Sequence, residues 1–315
     1  MNKGLTKKET RHLQIFFIAT LLWTWIIGMI PVVLGISDNP LGNYIFVFTA
    51  GIAPSCVGVI MVMKTYTKEA RRDYFRRFIP TWRGAWFILI YAVLLMALML
   101  SMLILLFGEY PNFVTLRGFL SNPLSILGFI FFFYLYGPSN EEFGWRGYAL
   151  DKMLVKYGFL NGSLILGFIW GIWHLPWIFY SMQWQSQSFA ISPLWFAAFI
   201  LQCMASSVVI SIGHILSKRN YFTGATIHGV GNASIGLFYT GISLWGSNIA
   251  QLVIIALGLA IAAVTLGIFG KGFHERCRQE ILEINLDKDR FGMTEVYQDV
   301  PGFAVHDISR EDGRN

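Results

Sequence analysis

Charged side chains are scarce in this sequence, although it is long enough to fill a large domain. Of its 315 residues, 13% are charged and 55% are hydrophobic, and the mean hydropathy is +0.54. Soluble domains usually carry about 25% charged residues. The shortage excludes a soluble globule and indicates a polytopic membrane protein.

Cysteine is also rare. The three cysteines, Cys56, Cys203 and Cys277, have no C-x-x-C spacing and an odd count. This pattern argues against a disulfide framework and against a thiolate metal cluster. We interpret Cys56 and Cys203 as packing residues. The sequence also lacks an internal repeat and a glycine-rich phosphate loop.

Long apolar runs are abundant. A span needs about 20 mainly apolar residues, and the sequence predicts eight such runs, which lie at 15–35, 43–63, 85–107, 123–148, 162–180, 190–216, 222–242 and 248–269. The fold class expected is therefore all-α: a polytopic membrane helical bundle of about eight transmembrane helices.

Lysine and arginine fall in alternate connections between these runs. They occupy the N-terminal arm, residues 64–83, residues 146–156, Lys218 with Arg219, and the segment after the last run, whereas the opposite loops hold only Arg117. Cytoplasmic loops carry the excess of positive charge. The sequence thus predicts a multi-pass protein of the cell membrane with both termini cytoplasmic, and the net charge of +6 reports topology, so we expect no nucleic-acid partner.

The chain changes character near residue 270. Residues 271–315 hold ten of the eighteen acidic residues and no spanning run. We therefore expect a membrane-embedded domain over residues 1–270 and a cytoplasmic tail over 271–315.

Two carboxylates follow the apolar run 126–136, at a predicted helix end. Ionisable groups at membrane depth cost about 2.5 to 3.5 kcal/mol each, so they suggest a functional site when they find partners. Glu142 and Arg146 share a helix face at i, i+4 and can pair, while Glu141 points about 100° away. The simpler explanation is that these charges mark a helix end at the water interface.

Two further runs contain polar clusters. Trp170 and His174 share a face in the fifth run, and Pro176 removes a backbone donor from that helix. His228 and Asn232 form another i, i+4 pair in the seventh run, and both can donate hydrogen bonds. Carboxylate and imidazole groups inside a membrane suggest either activation of a water molecule or binding of a divalent metal.

Taken in order, Glu-Glu-x-x-x-Arg at 141–146, aromatic-x-x-x-His at 170–174 and His-x-x-x-Asn at 228–232 resemble the CAAX-processing and bacteriocin-processing family of intramembrane proteases. The basic segment 71–83 is also similar to a cytoplasmic loop of that family. One departure is Trp170, where the family usually has phenylalanine.

The resemblance implies an intramembrane endopeptidase that acts on membrane-anchored substrates, including prenylated CAAX proteins, in a polar cavity open to the cytoplasm. Glu141 with His174 would activate water, and His228 with Asn232 would stabilise the oxyanion. Glu142 and Arg146 would hold the helix end and orient Glu141. The site would need no cofactor, and its partners would be membrane lipids and the substrate.

Two alternatives remain open at this point. Glu141, His174 and His228 could instead ligate a catalytic zinc ion, although the sequence has no His-Glu-x-x-His motif and Asn232 is a poor zinc ligand. A transporter, a non-proteolytic membrane scaffold or a bacteriocin-immunity protein could also line a cavity with these residues.

Overall fold

The computed structural model describes residues 5–107, 114–238, 248 and 250–268, and these residues form helices and no β-strand. The α-helices are α1 (Lys7–Val33), α2 (Pro40–Thr49), α3 (Ala53–Thr65), α4 (Lys68–Arg76), α5 (Ala85–Phe107), α6 (Val114–Ser121), α7 (Ser125–Ile130), α8 (Asn140–Gly144), α9 (Asp151–Tyr157), α10 (Phe159–Trp173), α11 (Trp184–Ile191), α12 (Pro193–Leu216), α13 (Tyr221–Phe238) and α14 (Ala250–Ile268). The predicted all-α membrane bundle is confirmed.

Six stretches within the described residues are long and apolar enough to cross a membrane. They are Lys7–Val33, Pro40–Thr65, Ala85–Met102, Phe159–Phe179, Pro193–Leu216 and Ala250–Ile268. Each overlaps one of the eight predicted runs. The count of eight stays a prediction, because the runs at 123–148 and 222–242 are not among the six.

Both of those runs are nevertheless helical where they are described. The first consists of α7, a π-helix over Phe131–Ser139, α8 and a second π-helix over Trp145–Leu150. The second is α13, up to its end at Phe238. Longer π-helical stretches are rare and often occur at functional sites, and both runs carry the polar motifs.

Close backbone contacts fix the helix that carries the two glutamates. A Cβ atom on Gly144 would lie 2.1 Å from the carbonyl oxygen of Pro54, and one on Gly58 would lie 2.9 Å from the Cα of Gly144. Only glycine permits this approach, so α3 packs directly against α8. Small residues at helix interfaces allow such packing in membranes.

A second close approach fixes the helix that leads to His174. A Cβ atom on Gly167 would lie 2.5 Å from the Cα of Met204, which holds α10 against α12. Helix α13 contacts α5, α12 and the first π-helix. The three motif-bearing segments are therefore neighbours in one bundle. The predicted tail, residues 271–315, lies outside the described residues.

Candidate active site

The i, i+4 pair expected in the first motif is present. Arg146 Nη1 donates to Glu142 Oε1 at 2.8 Å, and both side chains are 0% exposed. The guanidinium also lies over the ring of Trp170, 4.9 Å from its centroid. A buried charge without a partner is costly, so the ion pair with Glu142 stabilises Arg146 in the interior.

Glu142 has a second partner that the sequence did not indicate. His228 Nδ1 lies 3.0 Å from the same oxygen, Glu142 Oε1. Because a carboxylate accepts, Nδ1 carries the hydrogen and the other ring nitrogen, Nε2, is left for other contacts. The direct contacts of Glu142 run to Arg146 and His228, and its expected role in orienting Glu141 stays a prediction.

Glu141 is held by Trp170, the aromatic residue of the second motif. Trp170 Nε1 donates to Glu141 Oε2 at 2.7 Å. Among the described residues the carboxylate makes no other hydrogen bond, which leaves Oε1 for a ligand. Phenylalanine at position 170 would keep a ring here but would supply no donor.

His174 lies where α10 ends. The helix stops at Trp173 and a 3₁₀ turn, Leu175–Phe179, follows, because Pro176 cannot continue the α-helical hydrogen bonding. His174 Nδ1 is 2.9 Å from the carbonyl oxygen of Trp170. A carbonyl only accepts, so Nδ1 bears the hydrogen and Nε2 has a free lone pair.

These side chains meet at one cavity of about 610 Å³ of empty space, part of it open to the surroundings. Its lining includes Glu141, Trp170, His174, His228 and Asn232. The ring centroids of Trp170 and His228 are 4.8 Å apart. The structure therefore brings together residues from three segments that lie far apart in the chain.

Sequence reasoning missed several residues of the cavity wall. Besides Cys203, which the sequence suggested only as a packing residue, the polar members are Tyr91, Gln185, Gln202 and Ser206. Gln202 and Ser206 stand at i, i+4 in the sixth apolar run, the same signal that identified the other motifs. Gln185 lies in α11, in the connection between the fifth and sixth predicted runs, so the cavity wall also includes a residue from outside those runs.

A second buried polar cluster lies around Asp151, where α9 follows the second π-helix. The Asp151 carboxylate accepts from Arg219 Nε at 3.0 Å and Arg77 Nη1 at 3.3 Å, and His214 Nε2 lies 3.1 Å from its other oxygen. Burial raises the pKa of Asp151, but Arg219 and Arg77 outweigh it and hold that pKa well below its usual range. This cluster ties the basic segment after α4 to the helix that continues from Glu141.

Comparison with known proteins shows what this part of the chain resembles. Residues 123–267 match the family model described as type II CAAX prenyl endopeptidase Rce1-like, a range that contains all three motifs. A protein of Methanococcus maripaludis named CAAX prenyl protease 2 is 26% identical over 227 residues, which are 68% of this chain and 80% of that protein.

The segment that matches begins two residues before α7 and ends one residue before α14 does. It therefore includes every residue of the cavity wall named above except Tyr91. Over this segment the chain is similar to type II CAAX prenyl endopeptidases, and with its helical bundle and its apolar spans it is a CAAX-type intramembrane peptidase.

Proposed function

We propose that this protein hydrolyses a peptide bond near the C-terminus of membrane-anchored substrates, including prenylated proteins that end in a CAAX sequence. Glu141 and His174 activate the water molecule, and His228 and Asn232 stabilise the oxyanion. The observation that supports this assignment is the shared cavity, which all four side chains line.

Glu141 is the general base in this proposal. Its Oε2 is fixed by Trp170, and its Oε1 can accept a proton from a water molecule in the cavity. His174 presents the unprotonated Nε2 to the same space. This nitrogen accepts a hydrogen bond from the second hydrogen of that water. A base must lie within hydrogen-bond reach of the proton that it removes, and two acceptors on one cavity wall orient the attacking oxygen.

The contacts of His228 support its role beside the oxyanion. Its Nδ1 is engaged with Glu142, so its other ring nitrogen, Nε2, is left for the reacting carbonyl oxygen. The amide of Asn232, one turn further along α13, is the second donor. Fixed donors in a site with little water stabilise developing negative charge strongly.

The reaction is a simple hydrolysis. Water loses a proton to Glu141, its oxygen attacks the scissile carbonyl carbon, and the carbonyl oxygen becomes an oxyanion beside His228 and Asn232. The proton then passes to the leaving nitrogen, the C–N bond breaks, and a carboxylate and an amine result. No other reactant is required.

The geometry favours this scheme over the zinc alternative. Within the ranges described above, no three His, Cys, Asp or Glu side chains are grouped as a metal ion requires. The asparagine of the third motif also suits an oxyanion better than a metal. We therefore propose that the enzyme uses no metal.

The membrane and the relative's name together suggest the substrate. A prenyl chain can remain in lipid while the peptide enters the cavity, and the Methanococcus maripaludis relative is named a CAAX prenyl protease. With both termini cytoplasmic, as we propose from the charge pattern, the cavity opens to the side where such proteins are made.

Purified protein in detergent, incubated with a farnesylated CAAX peptide and with the same peptide unprenylated, tests the proposal. We expect mass spectrometry to show release of the C-terminal tripeptide from the farnesylated peptide, and no release by the Glu141→Gln variant. Equal cleavage by both proteins would contradict the role given to Glu141, and no cleavage by either would contradict the substrate class.

A further inference from the structure

One wall of the cavity carries polar groups that the hydrolysis described above does not use. Gln202 and Ser206 lie one turn apart on α12, and both line the cavity. Gln185 reaches it from α11. Helix α12 is one of the six candidate spans, so two of these groups lie on a helix that is otherwise strongly apolar.

Gln202 has an unsatisfied atom. Its side-chain oxygen is buried and has no hydrogen-bond partner among the residues that the structure describes. A buried polar atom without a partner is unfavourable, and more so at membrane depth. An amide that lines a cavity and keeps such an atom is suited to a ligand that supplies the missing N–H.

The side chain of Gln185 also lacks a hydrogen-bond partner among the described residues, unlike the two glutamines on either side of it. Gln183 donates to Asn43 at 2.6 Å and Gln187 donates to the Ser181 carbonyl at 3.0 Å. Gln185, between them, makes no side-chain hydrogen bond with a described residue and lines the cavity instead. Two amides and a hydroxyl therefore face the space next to Glu141.

The chemistry of this wall identifies the kind of ligand. No lysine or arginine occurs among the described residues that line the cavity, so an ion pair with a substrate carboxylate is not available there. A glutamine side chain offers one acceptor and one donor on adjacent atoms, as a peptide group does. The matching ligand is a neutral peptide main chain.

We propose that Gln202, with Ser206 and Gln185, forms a subsite that binds the substrate's main chain beside the scissile bond, whatever its side chains. This inference rests on the proposed function, because the main chain in question is that of the cleaved peptide. It also explains how an enzyme can accept different residues next to one reactive bond: the subsite contacts atoms that every peptide has.

The test compares Gln202→Leu with a matched control, Gln251→Leu. Gln251 is a buried glutamine of α14 whose amide atoms also lack partners in the described structure, but it does not line the cavity. Each substitution replaces an unpaired amide by an apolar side chain of similar size, so both proteins should fold. Ser206→Ala, which removes only a hydroxyl, is a milder second variant of the subsite.

The probes are the farnesylated CAAX peptide and derivatives that are N-methylated at one peptide bond on either side of the scissile bond. Binding of radiolabelled peptide to immobilised protein is measured in the Glu141→Gln background, so turnover does not interfere, and KM and kcat are measured with Glu141 intact. Each lost hydrogen bond should weaken binding by about fivefold to tenfold.

We expect Gln202→Leu to raise Kd and KM by that factor with little change in kcat, and Gln251→Leu to change neither by as much as twofold. The protein with Gln202 should bind one N-methylated peptide less tightly than the unmethylated peptide, by the same factor. Gln202→Leu should bind these two peptides with equal Kd. Ser206→Ala should raise Kd by a smaller factor.

Unchanged binding in Gln202→Leu and in Ser206→Ala would overturn the subsite. So would an N-methylation that raises Kd by the same factor in the proteins with and without Gln202. If the peptide is cleaved while these outcomes occur, the proposed function stands and only the subsite fails. If it binds through Gln202 but is never cleaved, the subsite stands and the hydrolysis proposal fails. Absence of both binding and cleavage contradicts both.

Discussion

The two adjacent glutamates should respond very differently to the same substitution. Glu142 Oε1 accepts from Arg146 at 2.8 Å and from His228 at 3.0 Å, and the carboxylate is completely buried. Glu141 accepts only from Trp170 among the described residues. Glutamine in place of either residue keeps the volume and removes one negative charge.

The expected losses of stability follow from these contacts. Glu142→Gln leaves the guanidinium of Arg146 without a counter-ion in the interior, and removal of one partner of a buried ion pair costs about 3 to 5 kcal/mol. Glu141→Gln keeps an amide oxygen that can still accept from Trp170, so its cost should stay within about 1 kcal/mol. We expect Glu142→Gln to unfold at a temperature lower by roughly 5 °C or more.

Thermal unfolding of the purified variants in one detergent, followed by tryptophan fluorescence, measures this difference. Activity is measured on the same samples with the farnesylated peptide. Glu141→Gln should be inactive and nearly as stable as the parent protein, whereas Glu142→Gln should lose both properties. Glu142→Asp, which retains the charge, is the control and should recover part of the stability. Equal unfolding temperatures for the two glutamine variants would refute the assignment of Glu142 to the buried pair.

Four shorter predictions concern the base, the metal, a second buried cation and access. Trp170→Phe should lower kcat about threefold to tenfold with KM unchanged, because Glu141 loses its donor; an unchanged kcat would contradict this. Activity should survive exhaustive chelation, and loss restored by added zinc would instead support a metal site. Burial lowers the pKa of Lys152 to about 7, so between about pH 7 and about pH 10 the folded state binds fewer protons than the unfolded state, and the free energy of unfolding should rise with pH. Lys152→Met should flatten this rise, and parallel stability curves for the two proteins would contradict it. In a cysteine-free background, Ser206→Cys should react with a water-soluble thiol reagent in inside-out vesicles and resist it in right-side-out ones, since it lines the same cavity as Glu141; the opposite pattern would overturn the proposed topology.

Contacts within one helix could be predicted because helical geometry alone sets them. Residues four apart lie on one face, and this rule is sufficient to predict the pair of Glu142 and Arg146. It also places Trp170 beside His174, although the contact runs from the imidazole to the Trp170 carbonyl. The apolar runs are readable for a similar reason, since the bilayer fixes the length of a span.

Contacts between helices could not be predicted in this way. His228 reaches Glu142 across 86 residues of sequence, and Arg77 reaches Asp151 across 74. The contact of His228 with Glu142 depends on how α13 packs against α8. The contact of Arg77 with Asp151 was not predicted because the membrane topology already accounted for the charges of residues 64–83. The π-helical stretches were missed as well, because residue spacing gives no warning of them.

Trp170 shows how the separate motifs become one site. Its indole N–H donates to Glu141, its ring faces the guanidinium of Arg146 and packs at a steep angle against the ring of His228, and its carbonyl accepts from His174. One residue therefore contacts the proposed base and both imidazoles while shielding the buried cation. Phenylalanine would retain the ring and backbone contacts and lose only the first. The position thus needs an aromatic side chain for packing, and tryptophan adds a hydrogen bond that holds Glu141.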